Sequence, residues 1–98
     1  MSNYFIGKLS AINFRMATHE GDANRRLASE AYKILLLSKS EVPRKYEKQF
    51  SELIQLIELT IRRLPAKGLT PIKLGRIQNR TAVKYIKLLY VMMEDMVD

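Results

Sequence analysis

Basic, amide and hydroxyl side chains are concentrated in one stretch of the C-terminal third of the chain. Guanidinium groups match guanine bidentately, and side-chain amides match adenine. Ammonium and hydroxyl groups suit phosphate oxygens. Between Leu69 and Leu89 the chain carries all of these groups, in Lys73, Arg76, Gln78, Asn79, Arg80, Thr81, Lys84 and Lys87. The combination predicts contact with nucleic acid, with duplex DNA favoured over RNA.

The spacing of these cations favours one face of a helix. Arg80, Lys84 and Lys87 are spaced i, i+4 and i+7, so on an α-helix they lie on one side. We expect them to be exposed together with Arg76, Gln78 and Asn79. The apolar residues between them are predicted to anchor the helix, namely Val83, Ile86, Leu89 and Tyr90. An alternative interpretation is a bundle helix whose basic edge is merely solvated.

The distribution of charge agrees with a polyanion partner. The chain has 98 residues and a formal net charge of +7. From Leu59 to Met93 there are eight basic residues and no acidic residue, whereas the remainder carries nine basic and ten acidic residues. The whole excess of positive charge therefore lies in the last 40 residues, and such a region attracts nucleic acid, or less often acidic protein.

The stretch from Leu69 to Leu89 resembles a helix-turn-helix DNA-binding module. Thr70 and Pro71 are suited to open its first helix, with Ile72 and Leu74 packing inward. Gln78-Asn79 would form the turn, and "RTAVKYIKLL" would be the second helix. The resemblance implies that this second helix lies in the DNA major groove. It implies a regulator that acts by binding, without catalysis.

The sequence gives little support for catalysis, a metal site or a phosphate-binding loop. His19, Glu20 and Asp22 lie close together, but there is no second histidine and no cysteine to complete a metal site. A single histidine in a polar break also makes a catalytic triad improbable, and the four glycines form no phosphate-binding loop. We therefore expect no enzyme, no metal and no cofactor.

Composition indicates one globular, cytoplasmic domain over residues 1–98. Apolar residues make up 47% of the chain, and no unbroken apolar run is long enough to span a membrane. The N-terminus "MSNYFIGKLS" lacks the pattern of a signal peptide. The absence of cysteine agrees with a reducing compartment.

Apolar periodicity predicts an all-α bundle of four to five helices. The expected helices cover residues 3–18, 22–38, about 40–64, a short piece at 71–77, and about 79–96. In the second helix, Leu27, Ala31, Ile34 and Leu35 should be buried while Glu30 faces water. The last helix should be central, because it is apolar on most sides. The predicted core includes Phe50, Leu53, Ile57, Val83, Ile86 and Leu89.

A second function stays open from the sequence. Met92, Met93 and Met96 end the chain beside Val91, and methionine clusters can form adaptable partner surfaces, although they more often belong to a core. The protein could thus be a non-catalytic helical adaptor, such as a small phage or host factor. Burial of so apolar a last helix could also involve a homodimer. The acidic residues at its end, Glu94, Asp95 and Asp98, are expected to face a basic partner such as Arg25 or Arg26.

Overall fold

The computed structural model describes residues 3–62 and 78–97 of the chain. Five α-helices are formed there: α1 at Asn3–Thr18, α2 at Ala23–Ser29, α3 at Ala31–Leu35, α4 at Glu47–Arg62 and α5 at Asn79–Val97. Two short 3-10 turns, Lys39–Glu41 and Arg44–Tyr46, connect α3 to α4. Helix accounts for 86% of the described residues, and none of them is in a strand. The all-α prediction is confirmed.

The first helix follows its apolar stripe as predicted. Its bounds, Asn3–Thr18, are those expected from the sequence. All four apolar side chains that recur at helical spacing are buried, namely Phe5, Leu9, Ile12 and Met16. They join one continuous core with residues of the other helices. Burial of this stripe is what holds α1 on the bundle.

The predicted second helix is interrupted at Glu30. The backbone of Glu30 adopts φ −106° and ψ 6°, which is outside helical geometry, so α2 ends before it and α3 begins after it. The Glu30 side chain does not face water as expected. It is only 4% exposed, and its Oε1 accepts a hydrogen bond of 2.9 Å from Nε of Arg15 on α1. Helical spacing could not reveal this, because the compensating charge is on another helix.

The fourth helix contributes part of the same core. Tyr46, Phe50, Leu53, Ile54 and Ile57 are buried, in the helical period that the sequence indicated. The α-helix begins at Glu47, later than expected, because residues 44–46 form a 3-10 turn after Pro43. The position of its predicted end at Leu64 lies outside the described residues.

The last helix is central, as predicted. Helix α5 contacts α1, α2 and α4, and it buries Ala82, Tyr85, Leu88, Leu89 and Met92. A buried amide joins it to α1, because Asn13 Nδ2 donates to the carbonyl oxygen of Leu9 at 3.0 Å and to that of Leu89 at 3.2 Å. Among the described residues, no helix has the length and apolar character needed to cross a membrane.

The anchoring residues of α5 differ in part from those predicted. Leu89 is fully buried and Ile86 is half-buried, but Val83 is 38% exposed and Tyr90 is 49% exposed. The buried stripe runs through Ala82, Tyr85 and Leu89 instead. The prediction for Val83 was wrong because Ala82, and not Val83, lies on the side of α5 that faces the core.

Candidate nucleic-acid interface

The three cations of α5 lie on one exposed face, as the spacing predicted. Arg80, Lys84 and Lys87 are all exposed. They fall within one side of the helix because its period is 3.6 residues. The core-facing side opposite them carries Tyr85, Leu89 and Met92. We refer to the solvent-facing side as the outward face of α5, comprising Arg80, Val83, Lys84, Lys87, Tyr90, Val91, Glu94 and Val97.

The positive charges of this face are not neutralised within the described part of the chain. The ion pairs found there join Arg15 to Glu30 and Lys45 to Asp95, so none involves Arg80, Lys84 or Lys87. The Lys84 ammonium lies 5.3 Å from the centroid of the Tyr85 ring on its own helix. This cation–π contact leaves the charge in place. Exposed cations without a carboxylate partner are available to an external anion.

The residues at the start of α5 play different parts. Gln78 is exposed and precedes the helix, and its backbone carbonyl accepts hydrogen bonds from the N–H groups of Thr81 at 3.0 Å and Ala82 at 3.1 Å. Asn79 is the first helical residue, and its Oδ1 accepts a hydrogen bond of 3.1 Å from the backbone N–H of Asn24. Asn79 therefore fixes the start of α2 against the start of α5, whereas the Gln78 side chain remains at the surface. Thr81 is half-buried.

Part of the predicted site lies outside the described residues. Lys73 and Arg76 belong to this part, as does the whole proposed first helix of the helix-turn-helix, from Thr70 and Pro71 to Ile77. The geometry that can be described is thus that of the second helix and its neighbours.

A groove beside the outward face adds residues that sequence reasoning missed. It runs between α1 and α5, has a volume of about 280 Å³, and is lined by Asn13, Met16, Ala17, Arg26, Ile86, Lys87, Tyr90 and Val91. Arg26 reaches it from α2, with its Nε donating to the carbonyl of Gly21 at 2.7 Å. Two cations and an aromatic ring thereby share one concave surface. Sequence spacing could not predict the groove, because three separate helices form it.

The acidic end of α5 has a different partner from the one expected. Asp95 Oδ2 lies 2.8 Å from Lys45 Nζ and also accepts a hydrogen bond from the Tyr46 hydroxyl. These bonds, that of Lys45 first, hold the pKa of Asp95 below its usual range. The partner is therefore Lys45 rather than Arg25 or Arg26. Glu94 accepts a bond of 3.1 Å from the hydroxyl of Tyr90, which raises the pKa of Tyr90.

The cations of this surface are of the type that can bind anions. It presents guanidinium and ammonium donors, and within residues 3–62 and 78–97 no three histidine or carboxylate side chains come together as metal ligands. Comparisons of the chain with protein-family models, curated proteins and solved structures found no match.

Proposed function

We propose that this protein binds nucleic acid, duplex DNA in particular, through the cationic N-terminal half of α5. The observation that carries the proposal is the set of three exposed cations, Arg80, Lys84 and Lys87, on one helix face with no ion pair to any described residue. The positive excess of residues 59–93 supports it.

The binding is mainly electrostatic. Arg80 and Lys87 are separated by seven residues, or roughly 10 Å along the helix axis. That distance is close to the width of the DNA major groove, about 12 Å. Cations at this spacing can meet phosphates on the two sides of the groove, and releasing the condensed counterions from the DNA drives the association.

Base contacts, where they occur, come from the start of the helix. The side chains of Gln78 and Arg80 are exposed there, and both can match base edges. In the helix-turn-helix interpretation, residues 70–77 supply the first helix and α5 is the recognition helix. The helix-turn-helix interpretation is part of the same proposal. It predicts some preference for DNA sequence in addition to phosphate binding.

The adaptor alternative was predicted to use the methionines near the end of α5, and their burial gives it less support. Met92 is fully buried, and Met93 and Met96 are half-buried against the core. A methionine-rich docking surface would require exposed side chains. Binding through apolar side chains would also depend only weakly on salt, which separates the two functions experimentally.

The test is a fluorescence anisotropy titration of labelled random duplex DNA over a series of salt concentrations. The double variant Arg80→Ala/Lys84→Ala should bind more weakly, and its log–log salt slope should be shallower by about 1.8, or about 0.9 for each lost phosphate contact. Lys33→Ala/Lys48→Ala is the matched control, since both lysines are exposed and lie on α3 and α4. Absence of affinity at low salt, or equal loss in both variants, would exclude the proposal.

A further inference from the structure

We propose that the outward face of α5 also binds a second copy of the same chain, in an antiparallel, two-fold symmetric pair. The self-association depends on the residues of α5 alone, whereas its consequence for nucleic acid rests on the proposed function.

Apolar side chains are exposed along the middle and end of this face. Tyr90 is 49% exposed, Val91 is 44% exposed and Val97 is 61% exposed, and Val83 lies on the same side one turn before Lys87. Single exposed apolar residues are ordinary, but here four of them share one helix face with the charged residues, and such grouping is typical of an interaction surface. Water is removed from these side chains if a complementary helix covers them.

Charge is segregated along the same face. The cations Arg80, Lys84 and Lys87 occupy the first half, and Glu94 occupies the second. Glu94 is exposed, accepts a hydrogen bond from the Tyr90 hydroxyl of the same helix, and forms no ion pair with a described residue. This order opposes the helix macrodipole, which favours acidic residues at the N-terminal end and basic residues at the C-terminal end. The arrangement is unfavourable within one helix and favourable between two.

The charge order determines the orientation of the pair. A parallel pair would place cations against cations, which is unfavourable. In an antiparallel pair related by a two-fold axis through the middle of the helix, Lys84 of one copy meets Glu94 of the other. Lys87 then lies beside Val91 and Tyr90 of the other copy. Each contact occurs twice, as symmetry requires.

The small size of the outward face limits the area that two copies can bury between them. Helix α5 has 19 residues, so it is about 28 Å long, and a helix is about 10 Å wide. The interface is therefore at the small end for specific association, below about 1,200 Å² in total. The pair is reversible, and it weakens as salt screens the ion pairs.

Self-association and nucleic-acid binding exclude each other under this arrangement. Both use Lys84 and Lys87, so a covered face cannot contact phosphates. Duplex DNA should therefore convert the dimer into DNA-bound monomer. Dimer formation should in turn make the apparent affinity of the protein for DNA weaker than that of the monomer alone.

Charge reversal tests the antiparallel pair directly. In sedimentation velocity, the full chain should shift from monomer to dimer as its concentration rises. Lys84→Glu and Glu94→Lys should each remain monomeric, because each places like charges opposite one another. Two rescues are expected: a heterodimer when the two variants are mixed, and a homodimer of the double variant Lys84→Glu/Glu94→Lys. Circular dichroism of every variant serves as the control for folding.

Several results would overturn this proposal. A wild-type chain that stays monomeric at every concentration would do so, and would leave a different protein as the occupant of this face. Dimers of both single variants, or folded variants without rescue in either experiment, would also contradict it.

The two proposals can fail separately. Glu94→Lys removes the dimer but keeps every cation of α5, so it should bind duplex DNA at least as tightly as the wild type. If Glu94→Lys is monomeric and has lost DNA affinity, the competition is refuted. If the dimer and its rescue are seen but no chain binds DNA, the self-association stands and the nucleic-acid function falls.

Discussion

The ion pair between Glu30 and Arg15 is a feature of the fold that the spacing of apolar residues does not predict. The Glu30 carboxylate is buried, and it needs the Arg15 guanidinium at 2.9 Å to offset the loss of water. Its backbone departs from helical geometry where α2 and α3 meet. A pattern of apolar residues contains no information about this pair, since Arg15 belongs to α1.

Removing Arg15 should therefore destabilise the fold. Arg15→Ala leaves a buried carboxylate without its charged partner, and the free energy of unfolding should fall by about 1–3 kcal/mol. Lys33→Ala is the comparison, since an exposed lysine on α3 should change it by no more than about 0.5 kcal/mol. Urea unfolding at neutral pH measures both. Equal effects of the two substitutions would mean that the pair contributes nothing.

Asp95 gives the fold a dependence on acid pH. Its pKa is lowered from 3.8 by the hydrogen bonds of Lys45 and Tyr46. A carboxyl group with a lowered folded-state pKa stabilises the fold fully above its unfolded pKa, and this contribution is lost as the pH falls through the lower folded value. The urea midpoint of Asp95→Asn should thus lie below that of the wild type at neutral pH. The two midpoints should converge below pH 3.8, and a constant difference would contradict this origin.

At the scale of elements, α5 is both a core helix and a surface. Burial differs sharply between the two sides of this helix, since Leu89 is fully buried whereas Val83 is 38% exposed. Leu89→Ala should lower the free energy of unfolding by about 2–5 kcal/mol, because a buried cavity remains. Val83→Ala should change it by less than about 0.5 kcal/mol. Chemical denaturation compares the two, and similar losses would show that the outward face of α5 is packed against something.

Sequence periodicity predicted some elements well for a physical reason. A helix whose apolar residues lie mainly on one side, such as α4, has one face that can be buried, so spacing alone predicts Phe50, Leu53 and Ile57 as core. Helix α5 is apolar on most sides, so the pattern leaves its rotation undetermined. Contact with α1, α2 and α4 fixes that rotation, and it places Ala82 rather than Val83 inside.

The candidate site, like the fold, was predicted only in part. The shared, exposed face of Arg80, Lys84 and Lys87 follows from spacing within one helix, and it was predicted. The groove with Arg26, and the bond from Asn24 to Asn79, depend on α2 lying against α5. Contacts between distant parts of a chain are beyond what helical spacing encodes.

At the scale of the whole molecule, the proposed function predicts that the position of the cations matters more for binding than the net charge. The chain carries +7, and a basic protein of any shape attracts DNA to some degree. The proposed function is more specific, because it assigns the contact with DNA to the cations of α5. A variant that preserves net charge while moving one cation separates the two explanations.

The most direct measurement is the affinity of the charge-exchange variant Lys84→Glu/Glu58→Lys for duplex DNA at several salt concentrations. Glu58 is exposed on α4, so the variant keeps the net charge of +7, because α5 loses two units of positive charge and α4 gains two. We expect weaker binding and a salt slope shallower by about 0.9 than that of the wild type. Equal affinity and equal slope in the two proteins would contradict the account, because binding would then depend on total charge and not on the outward face of α5.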